Sequence, residues 1–145
     1  MIRILCVGKI KENYLTDFIN DYYKRINKYH KLIIEEVKDD ENILKEEEYL
    51  LKRISDQDYV ITMEIGGKSL DSISFSNHLN NLFNHTSSIV FVIGGSNGLS
   101  EKIKERSNYP LSFSKLTFPH GMFRAVLLEQ IYRAFKIINN ESYHK

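Results

Sequence analysis

Ile89 Val90 Phe91 Val92 Ile93 Gly94 Gly95 Ser96 Asn97 Gly98 passes within ten residues from a β-branched and aromatic run to a glycine-rich turn. Such side chains prefer a pleated surface to a helix, and an unbroken apolar run predicts a strand buried on both faces. The three glycines let the backbone take positive φ or let another molecule approach closely, so a ligand can sit there. Downstream, Leu111, Phe113, Leu116 and Phe118 alternate loosely with Ser112, Ser114 and Thr117, which predicts a second strand over 111–118. Pro119 then opens a long helix reaching Ile138. Two strand ends therefore face one helix start, and in an open α/β sheet the ligand crevice lies outside the carboxyl ends of the strands.

Working outward, Ile2–Val7, Leu32–Val37 and Tyr59–Ile65 read as further strands, the last closed by Gly66 Gly67. Glu12–Lys28 spaces Tyr14, Leu15, Phe18, Ile19, Tyr22, Tyr23 and Ile26 by threes and fours, an amphipathic helix. Leu70–Asn84 is a helix that Asp71 can cap, and Ser100–Arg106 a short polar one. Eight acidic residues fall between Glu35 and Glu48, with Ile43, Leu44, Leu50 and Leu51 as apolar anchors; a solvated helix is the reading for that segment. Strands alternating with helices at this rhythm predict an α/β fold, a mostly parallel sheet with helices on both faces, in a single domain spanning 1–145. No internal repeat, linker or low-complexity tract interrupts it.

A chain of 145 residues is long enough to bury roughly two thirds of its unfolded surface without staples. At 42% hydrophobic and 27% charged residues, the composition argues against both disorder and membrane residence. The single cysteine, Cys6, lies in an apolar run and reads as a core thiol of a reducing compartment. The first apolar stretch is broken by Arg3 and too short for a signal or a span, so a cytoplasmic protein is expected. The formal net charge of +1 is far from what charge-driven nucleic-acid binding needs, leaving recognition by shape or by paired local patches.

Several motifs can be set aside. Gly67 Lys68 Ser69 ends like a phosphate loop, but Thr62 stands where the first glycine is required. The glycines at 94, 95 and 98 lack the dinucleotide-fingerprint spacing. The five histidines have no ligand-like spacing, so no metal is expected. His120 falls in the first turn of the last helix, where the dipole disfavours its protonated form, and Arg124 lies one turn on. Together they could be a neutral hydrogen-bonding group beside a phosphate-holding cation, or a cap contact and a surface charge. Glu129 and Arg133 have ion-pair spacing. Tyr143 His144 Lys145 reads on its own as a frayed tail, although its chemistry suits base stacking and phosphate contact.

Four segments change these weights: 91–99, 111–120, Glu129 Gln130 Ile131 Tyr132 Arg133 Ala134, and the terminal Tyr143 His144 Lys145. In this order, and with Val7 Gly8 Lys9 near the start, they resemble the RlmH family, small SPOUT-class methyltransferases acting on a pseudouridine of 23S ribosomal RNA. The resemblance covers nearly the whole chain. It implies a C-terminal trefoil knot, which hydrophobic pattern alone would never suggest. It also implies S-adenosylmethionine as methyl donor, held by Met63, Gly94 and the run Phe113, Ser114, Lys115, Leu116, Thr117, Phe118. It further implies a homodimer with a shared site, in which His120, Arg124, Arg133, Tyr143 and His144 hold RNA. The implied reaction methylates N3 of the pseudouridine, on the assembled ribosome in preference to bare RNA. No carboxylate is an obvious base for the N3 proton, and His144 or His120 could serve. The segment between Val37 and Tyr59 is shorter than is usual in that family, and Glu47 stands where glycine is common, which touches only the surface helix.

Overall fold

The structure, a computed structural model describing residues 1–145, is built on one five-stranded sheet. Its strands are β1 (Ile2–Val7), β2 (Leu32–Val37), β3 (Tyr59–Ser69), β4 (Ile89–Ile93) and β5 (Tyr109–Ser112), and its helices are α1 (Asn13–Asn27), α2 (Ile43–Leu51), α3 (Ser72–Phe83), α4 (Glu101–Arg106) and α5 (His120–Ile138). The sheet order is β2-β1-β4-β3-β5, with every pair parallel. Each β-to-β connection therefore crosses over, and the helices cover both faces as the alternating pattern predicts.

Period-two alternation divides the core. Ile2, Ile4, Cys6, Ile89, Phe91 and Ile93 pack on one face with α1, α3 and α5. Leu5, Val7, Val90 and Val92 face the other way, against Leu50 of α2 and Ile103 of α4. All five residues of β4 are buried because it has a strand on each side and helices above and below. Cys6 is a core thiol whose pKa burial pushes up to about 12. No helix is long and apolar enough to cross a membrane.

Three expectations are corrected here. Gly66 Gly67 does not close β3: the strand continues to Ser69, with Met63 and Lys68 both in register with Leu111 and residues 64–67 bulging out between them. Gly67 permits this, since a Cβ there would stand 2.8 Å from the Pro110 carbonyl carbon. The alternation over 111–118 is not all strand; β5 is Tyr109–Ser112, and Phe113–Phe118 form a loop. Finally, the acidic helix α2 is not fully solvated, because Glu46 is 3% exposed.

Two imidazoles are expected to make the fold acid-sensitive. His30 stacks on Phe83 at 4.7 Å, His78 tilts against Tyr109 at 4.4 Å, and the buried Nε2 of each has no partner. Burial first, then the N-terminal ammonium for His30 and Lys68 for His78, holds both below the ordinary 6.5. The unfolded chain thus binds more protons below that pH, so their stability contribution is complete above 6.5 and is lost as pH falls toward the folded values. Urea midpoints should drop between pH 7.5 and 5.5, and a His30→Phe/His78→Phe double variant should flatten that slope. An unchanged slope would place the acid sensitivity elsewhere.

Candidate functional site

A cleft of about 420 Å³ opens over the carboxyl ends of β3, β4 and β5. Its walls are the β3 bulge from Met63 to Gly66, the Gly94–Leu99 turn, the 113–118 loop, and His120 and Phe123 at the start of α5. Half of its lining residues are hydrophobic and more of its exposed lining is apolar than polar, as suits a ligand with an apolar ring and a polar tail.

The glycine turn is compact. Gly98 donates to the Gly95 carbonyl at 3.1 Å, and Gly98 itself has φ of +71°, which favours glycine. A Cβ on Gly94 would lie 2.7 Å from the Gly98 oxygen, so substitution there deforms the turn itself as well as crowding any ligand. The loop after β5 is pinned at both ends. Phe113 lies edge-on to Phe75 at 5.9 Å and near Phe123 at 5.4 Å, and Phe118 also reaches Phe123, at 6.4 Å. The Ser112 hydroxyl bonds the Ile65 carbonyl at 2.9 Å, tying the loop's start to the β3 bulge.

Main-chain groups of residues 113–118 make no bonds to other main-chain groups; side chains take only the Leu116 N–H, which donates to Ser114 Oγ at 2.9 Å, and the Ser114 carbonyl, which accepts from the Ser112 hydroxyl at 3.1 Å. A half-buried loop with free peptide groups beside apolar rings is suited to holding a nucleoside-like molecule through its backbone. Leu116, 72% exposed, stands at the mouth.

The candidate donor-binding positions converge with one exception. Met63, Gly94, Phe113, Ser114, Leu116, Thr117 and Phe118 line the cleft, whereas Lys115 is exposed and does not. The candidate RNA-holding positions divide into three places. His120 lines the cleft, with Nε2 3.4 Å from where a Cβ on Gly8 would stand.

Arg124, expected beside it as an available cation, is 3% exposed. Its guanidinium bonds Glu36 at 2.6 Å and the Gly8 carbonyl at 3.2 Å, tying α5 to the ends of β1 and β2, and its Nε is buried without a partner. Sequence spacing could not reveal this, because Glu36 approaches only once the sheet forms. Arg124→Met should lower stability by about 1–3 kcal/mol, below the cost of breaking a fully buried pair because Glu36 is partly exposed. Donor affinity should hold, as titration calorimetry beside a urea melt will register; a large affinity loss would return Arg124 to the site.

The third group lies along α5. Arg133 sits 13 residues beyond His120, about 20 Å at the helical rise. It bonds Glu129 at 2.6 Å and His144 Nδ1 at 3.1 Å. Tyr143 is no frayed residue: its hydroxyl bonds Tyr22 at 2.8 Å and Glu129 at 3.1 Å, its ring meets Tyr132 edge-on at 4.9 Å, and Arg133 lies over it at 4.9 Å. Burial, the Tyr22 bond and the Glu129 charge push its phenol well above the ordinary range, so it stays protonated. No group of three or more His, Cys, Asp or Glu is placed to hold a metal ion.

Known proteins similar to this chain in sequence or in fold point the same way. A family model described as predicted SPOUT methyltransferase matches residues 1–144. The ribosomal RNA large subunit methyltransferase H of Clostridium botulinum strain Kyoto is 50% identical, with 99% of each chain covered. Its namesake in strain 657 is also 50% identical, again over 99% of both. Among solved structures, a probable methylase family protein from Haemophilus influenzae Rd KW20 has a TM-score of 0.59 at 14% identity, over 99% of this chain and 70% of its own. The SpoU methyltransferase AviRb from Streptomyces viridochromogenes, solved in complex with AdoMet, has a TM-score of 0.50 at 12% identity, over 90% of this chain and 56% of its own. At such identities the structural likeness is one of fold, while the sequence matches run the length of the chain: it belongs to the SPOUT methyltransferase family.

Proposed function

We propose that this protein is an S-adenosylmethionine-dependent methyltransferase of large-subunit ribosomal RNA, acting on N3 of a pseudouridine of 23S rRNA in the assembled ribosome. The observation that carries the reading is the cleft, where free peptide groups of the 113–118 loop meet apolar side chains beside Met63 and Gly94. The relatives' ribosomal RNA activity gives the substrate class, and the SpoU enzyme's AdoMet complex supports the donor. The reading includes the family's trefoil knot, a cytoplasmic setting and no metal.

S-adenosylmethionine supplies an activated methyl group, whose in-line transfer to nitrogen leaves a thioether. The chain's residues hold and orient. Met63, Gly94 and the backbone of 113–118 would hold the donor, Phe113 and Phe118 packing its ring. His120, on the same cleft wall, faces the incoming base. N3 must lose its imide proton, and aligning the reactants lowers the barrier in either order of events.

The reading also includes a homodimer. Exposed Tyr14 and Phe18 of α1 and Met122 and Val126 of α5 leave apolar side chains on two packed helices. Met122, Val126, Glu129 and Arg133 share one stripe of α5 by their spacing. Antiparallel pairing of α5 about a two-fold axis beside Val126 would bring the start of α5, where the cleft opens, level with the partner's Arg133, shortening a gap that one chain leaves about 20 Å wide. In that arrangement one chain's cleft is completed by the other's Arg133, Tyr143 and His144.

Labelled methyl transfer from S-adenosylmethionine to ribosomes, large subunits and bare rRNA from a strain lacking the enzyme tests this. Label on assembled ribosomes is expected. Donor binding with no label on any of them would favour a transfer-RNA or protein substrate, and no donor binding would favour a non-catalytic ribosome-binding factor.

A further inference from the structure

The acidic segment, which its sequence marks as a solvated surface, reaches the back of the cleft. Asn97, in the glycine turn, donates from Nδ2 to the Asp40 carbonyl at 2.9 Å, joining residues 57 apart. The Asp40 N–H donates to Glu46 Oε2 at 2.8 Å, fixing the strand of chain whose carbonyl Asn97 uses. That Glu46 oxygen lies 3.9 Å from where a Cβ on Gly95 would stand, and its neighbour Oε1 is buried without a partner. At the exit of the turn, Ser100 donates to Glu47 Oε1 at 2.6 Å while its hydroxyl oxygen accepts from Ile103 N–H and caps α4.

The turn is thus gripped in its middle, beneath and at its end by one segment, while Gly94, Gly98 and Leu99 form a wall of the cleft on its other side. Glycine gives the turn its shape but also the most conformational freedom to lose, so a glycine-rich wall binds well only if something else has already ordered it. Asn97 is exposed and does not itself line the cleft.

We propose that Glu46, Glu47 and Asn97 are positioning residues that preorganise the Gly94–Leu99 wall and so set donor affinity without touching the donor. The inference rests on the cleft being the donor site. Its mark is selective: ordering the wall strengthens donor binding, while transfer from the saturated enzyme and ribosome binding are indifferent to it.

Titration calorimetry with S-adenosylmethionine and S-adenosylhomocysteine, alongside steady-state transfer to ribosomes, tests it on Glu47→Ala, Glu47→Gln and Asn97→Ala. The two alanine variants should each raise the donor Kd and KM by about five- to tenfold, the range of one lost hydrogen bond. Their kcat and ribosome KM should stay within about twofold. Glu47→Gln keeps an acceptor for Ser100 and should bind nearly as the intact chain does. Because Asn97 is exposed, Asn97→Ala stays informative even if Glu47→Ala melts early. Intact donor affinity in Asn97→Ala and folded Glu47→Ala, or a fall confined to kcat, would overturn the brace while leaving the donor site standing. An unmodified protein that binds neither probe would overturn both.

Discussion

A chain ending at Ser142 is expected to bind S-adenosylmethionine within about twofold of the intact protein yet to transfer methyl at least about 100-fold more slowly, the scale of a misplaced reactant. The two effects separate because Tyr143 and His144 are remote from the cleft along α5, docked on Tyr22, Glu129, Tyr132 and Arg133. Deletion removes an edge-on aromatic contact and the hydroxyl's bonds, together costing about 1–2 kcal/mol of stability. That is a drop of several degrees in melting temperature, which an assay at 25 °C tolerates. On the proposed reading, what transfer loses is the group that holds RNA. The measurement pairs calorimetry on the donor with single-turnover transfer to ribosomes. Full activity in the shortened chain would make the tail a structural clasp on α5 and nothing more; lost donor binding would mean that the tail supports the cleft through α5.

What the sequence makes legible is whatever depends on local pattern. The starts of β1 to β4 and the acid cap of α3, where Asp71 accepts from Ser74 N–H at 2.7 Å, follow from alternation and spacing. The glycine turn stands out through residue type, whereas 113–118 reads as strand and only the family resemblance marks it as donor-binding; both line the cleft. The failures share a cause: each turns on a partner far along the chain. Gly67 lies within β3 because the strand can bulge and resume against Leu111. Arg124 is buried because Glu36 meets it across 88 positions. Glu47 looks solvated until Ser100 reaches it across 53 positions, and Glu46 until the glycine turn lies beside it at Gly95. Tyr143 looks free until it meets Tyr22, 121 positions away. The RNA candidates form one set in the family resemblance, whereas folding leaves His120 at the cleft and sends Arg133, Tyr143 and His144 toward the other end of α5. No periodicity encodes that separation, and the proposed homodimer would give it a use.

Mixed dimers provide the sharpest consequence. Gly94→Val is expected to lose donor binding by at least about 100-fold, because its branched side chain starts 2.7 Å from the Gly98 oxygen and both reshapes and fills the wall. Alone it should be inactive, as should the chain ending at Ser142. Co-refolded in equal amounts and paired at random, the two make about half their dimers mixed. In a mixed dimer one site joins a damaged cleft to a missing tail and stays dead. The other joins the tail-less chain's intact cleft to the Gly94→Val chain's intact tail and is complete. Activity should therefore return to about a quarter of the unmodified level, one live site in each mixed dimer and none in the parents. A site contained within one chain forbids this, since neither chain carries both parts. Recovery near a quarter, with exchange checked by differently tagged chains, would establish that the cleft works with its partner's tail. No recovery in verified mixed dimers would confine each site to one chain, and the approximately 20 Å between His120 and Arg133 would then have to be spanned by the RNA itself.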